Sequence, residues 1–331
     1  MKKNLALMVI FALVLISITG CSQQAPSNVQ PDADQIDYPN KAIKIIVPFA
    51  AGGGTDLSAR LLAGYLEKEL EVPVVIENKP GGGGWIGWAE LLKAEPDGYT
   101  LSIIAAPSVI AGYLNPSAKR SESLDSFDLI INHVKDPIAI AVSANNSRFG
   151  NIKDLIEYAK QNELTAPANG VGTYAHLATL KMNKQLGTQF RTIHFDGGGE
   201  SISNVIGGHV DVFVGAVSEV AQFQKDGVLK VLAVLESERI SQLPDVPTLN
   251  ESLGVDLTFN SIRSFVAPKG TDPRIIEKLQ SAIEKAMNNP QHIEKADEMG
   301  IILDSTKGEA LYEMLKEKEN AILEVRDQLG W

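Results

Sequence analysis

AIKIIVPFAAGGGTDLSARLLAGYL, Ala42–Leu66, decides the fold. Ala42 to Phe49 is a short β-branched apolar run, which predicts a buried strand. Ala50-Ala51-Gly52-Gly53-Gly54-Thr55-Asp56 is a turn, and Leu57 onward carries apolar residues at helical spacing. The same strand, glycine turn and helix recur. Val72–Glu77, Pro80–Gly84 and Trp85–Lys93 form a second unit; Leu164–Asn169, Gly170–Thr173 and a helix through His176 form another; Arg191–Phe195, Asp196–Glu200 and a helix through Val205 a fourth. Further strands are predicted at 99–106, 138–142, 210–214 and 229–235, and helices at 152–161, 273–288 and 307–328. Alternating strands and helices predict an α/β protein with mostly parallel sheets flanked by helices. These are too many units for one sheet, so two α/β lobes are expected, each with its own glycine turns.

In open α/β sheets a ligand lies off the carboxyl ends of the strands, where these turns are. A helix start offers main-chain N–H groups without internal partners, and the helix dipole adds about half a positive charge. An anion fits there without a cationic side chain. The turns 50–56, 80–87, 170–173 and 196–200 contain no Lys or Arg once Lys79 is set aside. The expectation is therefore an anion gripped by amides, with no basic side chain in the pocket. Charge-assisted hydrogen bonds contribute roughly 1.5–3 kcal/mol each, enough for a few of them to hold a small acid. Glycines that only make tight turns and let helices pack are the alternative for any single turn.

Other chemistries find little support. Gly82-Gly83-Gly84-Trp85-Ile86-Gly87 satisfies G-x-G-x-x-G, but the next strand ends in Pro107 with no acidic residue for a ribose. No nucleophile elbow occurs, the histidines form no H-x-x-x-H pair, and no cofactor or metal is expected. His176 is expected to face the cleft and His194 to be packed at a strand end. Asp56 and Glu200 open helices, where a carboxylate is favourable for dipole reasons alone. Lys+Arg 30 against Asp+Glu 41 gives a net charge of −11, which makes a nucleic-acid backbone a poor partner. Hydrophobic residues at 44% and charged residues at 21% are ordinary for a globular chain.

Residues 1–20 read as an export signal, with basic Lys2 and Lys3 and an apolar run from Leu5 to Ile18 that is short of the ~20 residues a membrane span needs. The run ends in Ile18-Thr19-Gly20-Cys21, which resembles a bacterial lipobox. The chain has a single Cys, so no disulfide framework or multi-cysteine metal site exists. The expectation is cleavage before Cys21, lipidation of Cys21 and a flexible polar tether over 21–37. The protein is then expected outside the cytoplasm, anchored to a bacterial membrane.

Tyr38-Pro39-Asn40-Lys41 with Ile45 to Asp56, Glu77-Asn78-Lys79-Pro80-Gly81-Gly82-Gly83-Gly84, Pro96-Asp97-Gly98-Tyr99-Thr100-Leu101, Gly207-Gly208-His209-Val210-Asp211, Leu243 to Thr248 and Val266 to Thr271 follow one another in order. Together with Gly170-Val171-Gly172-Thr173 and His176 they resemble the substrate-binding receptors of tripartite tricarboxylate transporters, the TctC or Bug family. The resemblance implies a two-lobed periplasmic-binding-protein fold of the type II, Venus flytrap kind. Residues 38–138 with 266–331 would form the first lobe and 139–265 the second. It also implies a small organic carboxylate as ligand, no enzymatic activity, a monomer, and the two membrane permease subunits of such a transporter as partners.

Carried over, the ligand contacts would be Ala50, Ala51, Gly52, Gly53, Gly54 and Thr55; Gly83, Gly84, Trp85 and Ile86; Ser108; Gly170, Val171, Gly172, Thr173 and His176; and Asp196, Gly197 and Gly198. Family members often have Lys where Asp196 stands and a small or amide residue where Trp85 stands. These departures point to a mono- or dicarboxylate, with an amino group facing Asp196 or a flat ring stacked on Trp85. A sensory receptor presenting its ligand to a membrane kinase, and an extracellular enzyme on the same fold, are the alternatives from other functional classes.

Overall fold

Strand β1, Ile43–Val47, is apolar at four of its positions and almost wholly buried, so its backbone must be paired on both sides. It lies parallel to β2, Val74–Asn78, and to β3, Thr100–Ala106. This computed structural model describes residues 36–195 and 197–329. The segments 1–20 and 21–35, with Cys21, and also Asp196, lie outside the described residues.

Helix α1, Gly54–Leu70, joins β1 to β2 and buries Ala59, Leu62 and Leu66. Each fully buried leucine of this kind contributes ~1.5–3 kcal/mol. Helix α2, Trp85–Leu91, follows β2, and α3, Ser108–Leu114, follows β3. β4 is a strand of 17 residues, Phe127–Ser143. Its first part, to Pro137, pairs antiparallel with β9, Asn260–Pro268. Its last part, from Ile138, pairs antiparallel with β7, Phe213–Ala216, and β8, Leu229–Val234. The seven-stranded sheet thus runs β2-β1-β3-β9-β4-β7, with β8 also on β4. A separate parallel pair joins β5, Leu164–Ala168, to β6, Phe190–His194.

The sheet is mixed rather than mostly parallel. β1 to β3 and the β5–β6 pair are parallel, as strand–helix–strand connections require. β9 runs antiparallel to β3 and to the first part of β4, and the last part of β4 runs antiparallel to β7 and β8. Sequence pattern shows only 138–142 of β4, since the earlier part carries Asp128, Asn132, His133, Lys135 and Asp136. Of these, Asn132, His133 and Asp136 are buried, and Asn132 finds partners from afar: it accepts from the Ser264 hydroxyl at 2.8 Å and donates to Asp304 at 2.9 Å. β9 is hidden for the same reason, by Ser261, Arg263 and Ser264. By hydrogen bonding β9 sits beside β3 and the first part of β4 from Asn260 onward.

The second half contains α4, Ile152–Gln161; α5, Tyr174–Leu186; α6, Gly198–Ile206; α7, Val217–Lys225; and α8, Leu249–Leu253. After β9 come α9, Pro273–Met287, α10, Pro290–Glu298, and α11, Gly308–Leu323. Helix α10 is absent from the sequence expectation. Pro290 cannot continue α9, but it fits the first turn of a new helix capped by Asn289.

Candidate functional site

The turn between β1 and α1 is shaped by Asp56. Its carboxylate accepts the Gly52 N–H at 2.9 Å, the Asn78 amide at 2.9 Å and the Arg60 guanidinium at 2.9 Å. Burial pushes this carboxyl up, but the bonds from Arg60, Gly52 and Asn78 outweigh it and hold the pKa below the usual range. Asp56 thus folds the loop, and Gly52 spends its amide on that bond. Gly54 stands where a side chain has no room: a Cβ would lie 2.6 Å from Arg263 Nη2 and 2.9 Å from Ser218 Oγ.

The second turn, Gly81–Gly84, has positive φ throughout. At Gly84 φ is +101, and a Cβ would meet the Trp88 ring at 2.6 Å, so only glycine fits. The Gly84 and Ile86 amides both bond to the Gly81 carbonyl. In the third turn the Gly172 N–H donates to His176 Nδ1 at 3.0 Å, and Thr173 bonds back to Gly170. Among the described residues the amides of Gly170 and Val171 find no acceptor in the protein.

These turns converge. A Cβ on Gly170 would lie 3.7 Å from Gly83 Cα, one on Gly197 3.1 Å from Ala50 Cβ, and one on Gly198 3.8 Å from Gly53 Cα. Between them is a cavity of about 650 Å³. Of the expected contacts, Ala50, Gly83, Gly84, Trp85, Gly170 and Val171 line it. Ala51, Gly52, Gly53, Gly54 and Thr55 form the adjoining turn and first helical residues but do not line it, nor do Gly172, Thr173, Gly197 and Gly198. Ser108 is buried at the start of α3 with its hydroxyl unpartnered, away from the lining. Ile86 is exposed and packs on Gly81.

Three expectations change. First, the pocket does contain a basic side chain: Arg120 lines it. Arg120 sits in a polar stretch, 115–126, with no periodicity to mark its direction, so sequence pattern carries no signal for it. Second, Trp85 is only 2% exposed and offers no open face for a ligand ring. The Arg120 guanidinium lies over the ring with Cζ 4.2 Å from its centroid, Trp88 meets it edge-on at 5.6 Å, and Gly112 packs against its Nε1. Third, the histidines exchange places. His194 lines the cavity, and His176 stands behind it, with ring centroids 5.3 Å apart, tying down Gly172.

The electrostatics favour an anion. Burial, then the nearby His194, push the His176 pKa down to about 4, and burial lowers His194. Both are neutral at pH 7. The described lining residues include no Asp or Glu, so Arg120 is their one formal charge. The arrangement suits capture of a negatively charged small molecule. No nucleophile–base pair faces the cavity among the described residues.

Comparison with known proteins follows the same direction. The family profile described as Tripartite tricarboxylate transporter family receptor matches residues 58–325. The protein in the gbd 5′ region of Cupriavidus necator is 34% identical over 300 residues, covering 89% of this chain and 90% of its own. Protein BugT of Bordetella pertussis is 33% identical over 261 residues, 78% of this chain and 79% of its own. The solved structure of the periplasmic binding protein BugD superposes with a TM-score of 0.81 at 30% identity, covering 88% of this chain and 99% of that one.

Proposed function

The chain belongs to the tripartite tricarboxylate transporter receptor family, and from that premise we propose that it captures a small organic carboxylate and delivers it to the two membrane permease subunits of such a transporter. Its family is one of receptors, and the solved structure it superposes on is a periplasmic binding protein rather than an enzyme. In this reading, residues 38–138 with 266–331 and residues 139–265 act as lobes that close on the acid. The receptor works as a monomer outside the cytoplasm, held at a membrane by lipid on Cys21. Among the described residues no helix is long and apolar enough to cross a membrane.

One observation carries the reading. Glycine turns from both sides of the crossing strands meet around one cavity whose described lining has unpaired main-chain donors at Gly170 and Val171, one cation and no carboxylate. Such a site rewards an anion and excludes a cation. A ligand that binds only the native state raises its unfolding midpoint by mass action. A thermal-shift screen of the mature chain against small organic acids is therefore expected to find acids that raise the midpoint, with their neutral amides inactive. Amides that stabilise as well as the acids, or no acid that stabilises, would overturn the reading.

A further inference from the structure

Arg120 differs from every other arginine among the described residues. The others each pair with a carboxylate. Arg120 forms no ion pair, and its Nε is buried without a hydrogen-bond partner. Trp85 Nε1, beneath it, is also buried and unpartnered. A dry, unpaired guanidinium donor is costly to leave so. Both side chains line the cavity, where the partly exposed guanidinium meets no carboxylate of the described lining.

The support is specific to arginine. A guanidinium is weakly hydrated, lies flat on an aromatic face, and presents a planar fork that matches a carboxylate. Trp85 provides the face, and Trp88 and Gly112 keep the indole from turning. The stack therefore holds the guanidinium in one orientation before any ligand arrives, which reduces the entropy lost on binding.

We propose that Arg120, held on the Trp85 ring, is a second anchor of the ligand. It takes a second carboxylate on an acid whose first carboxylate is held by main-chain donors at Gly170 and Val171. The substrate class is then dicarboxylates, and Arg120 is the residue that discriminates them from monocarboxylates. The inference rests on the carboxylate-receptor reading above and narrows it.

The test is calorimetry on the mature chain with succinate, glutarate and adipate, each against its length-matched monocarboxylate, butyrate, valerate or hexanoate. At least one dicarboxylate is expected to bind roughly tenfold to a hundredfold more tightly than its match, as one charge-assisted contact allows. Arg120→Met is expected to remove that preference, the dicarboxylate losing roughly tenfold or more in affinity beyond whatever its matched monocarboxylate loses. If Arg120→Met lowers the unfolding midpoint of the free protein, Arg120→Gln is measured by the same criterion. A preference that survives the substitution, or a wild type that binds both series alike, overturns the second anchor and leaves the receptor reading standing. Equal loss of both series at an unchanged midpoint assigns Arg120 to the first carboxylate and also overturns it. No binding by any acid of either series defeats the receptor reading and this inference together.

Discussion

Arg263 Nη2 lies 2.5 Å from Asp136 Oδ2, with both side chains withdrawn from solvent. The pair ties β9 to β4 just before β4 passes to β7 and β8. Ser218, at the start of α7, donates its N–H to Asp136 at 3.1 Å and its hydroxyl to the same carboxylate. Gly54, at the start of α1, lies directly over the guanidinium. Helix starts from both halves therefore rest on one buried ion pair.

Removing one member of that pair leaves the other charge buried and uncompensated. Asp136→Ala is expected to cost about 3–5 kcal/mol of unfolding free energy, measured by urea titration. The double change Asp136→Leu with Arg263→Met is expected to recover most of it, since no charge is then left dry. A loss below about 1 kcal/mol for Asp136→Ala would mean that water reaches the guanidinium.

Stability is expected to fall as the solution is acidified. His133 is fully buried with neither ring nitrogen hydrogen-bonded, and it packs 5.8 Å from His292. Burial, then the charges of His292 and Arg263, push its pKa from 6.5 down to about 3. His176 is lowered to about 4 by burial and by His194. Such a histidine takes up its proton only on unfolding. Its contribution is complete above pH 6.5 and shrinks as the pH falls toward the folded value. Each group gives a slope of up to about 1.4 kcal/mol per pH unit. Urea unfolding at about pH 7 and pH 5 should show a smaller loss in His133→Phe than in wild type. Equal losses would rule out His133 as a source.

Two glycines in the left-handed region separate backbone strain from crowding. Gly172 has φ +78, and a Cβ there would meet Ala111 Cβ at 2.7 Å; Gly187 has φ +70 with nothing within 4 Å. Alanine at either position is expected to cost about 1–2 kcal/mol of stability. Only Gly172→Ala should also weaken acid binding, because it pushes the 170–173 turn away from α3. Unchanged affinity in a folded Gly172→Ala would show that the turn does not shape the site.

Gly112→Ala bears on the Trp85 platform. The new Cβ would fall 1.7 Å from Trp85 Nε1, so the indole must move. The expected signs are a red-shifted tryptophan emission, a stability loss of about 1–3 kcal/mol and weaker dicarboxylate binding. Emission and affinity both at wild-type values would mean that the backbone yields and the ring stays.

Cys21→Ser bears on the anchor. The wild type is expected in the membrane fraction of cells, released by detergent and not by salt, and the variant in the soluble extracytoplasmic fraction. A soluble wild type would remove the lipid from the account.

Much of the framework was readable without coordinates. The strand–turn–helix units at 43–66 and 164–180 and helix 152–161 follow from apolar spacing and glycine placement, which act over a few residues. Asp56 was readable as a helix-opening carboxylate for the same reason. The long β4 and β9 were not, because Asp136, Asn132, Arg263 and Ser264 look solvent-bound until their partners are in place. The histidines misled, since position along a helix or strand does not tell which ring reaches a cavity formed by other segments.

On its own, the sequence determined the local grammar: which segments extend, where the chain needs positive φ, and where helix starts leave donors open. These depend on sterics and hydrogen bonds between near neighbours. Tertiary structure decided which of those donors remain unspent and which cation faces the ligand. Gly172 gave its amide to His176, whereas Arg120 came to rest on Trp85 with no carboxylate beside it. The physical reason is that pairing and burial are set by whatever distant segment packs alongside, and that is a property of the folded chain rather than of any window along it.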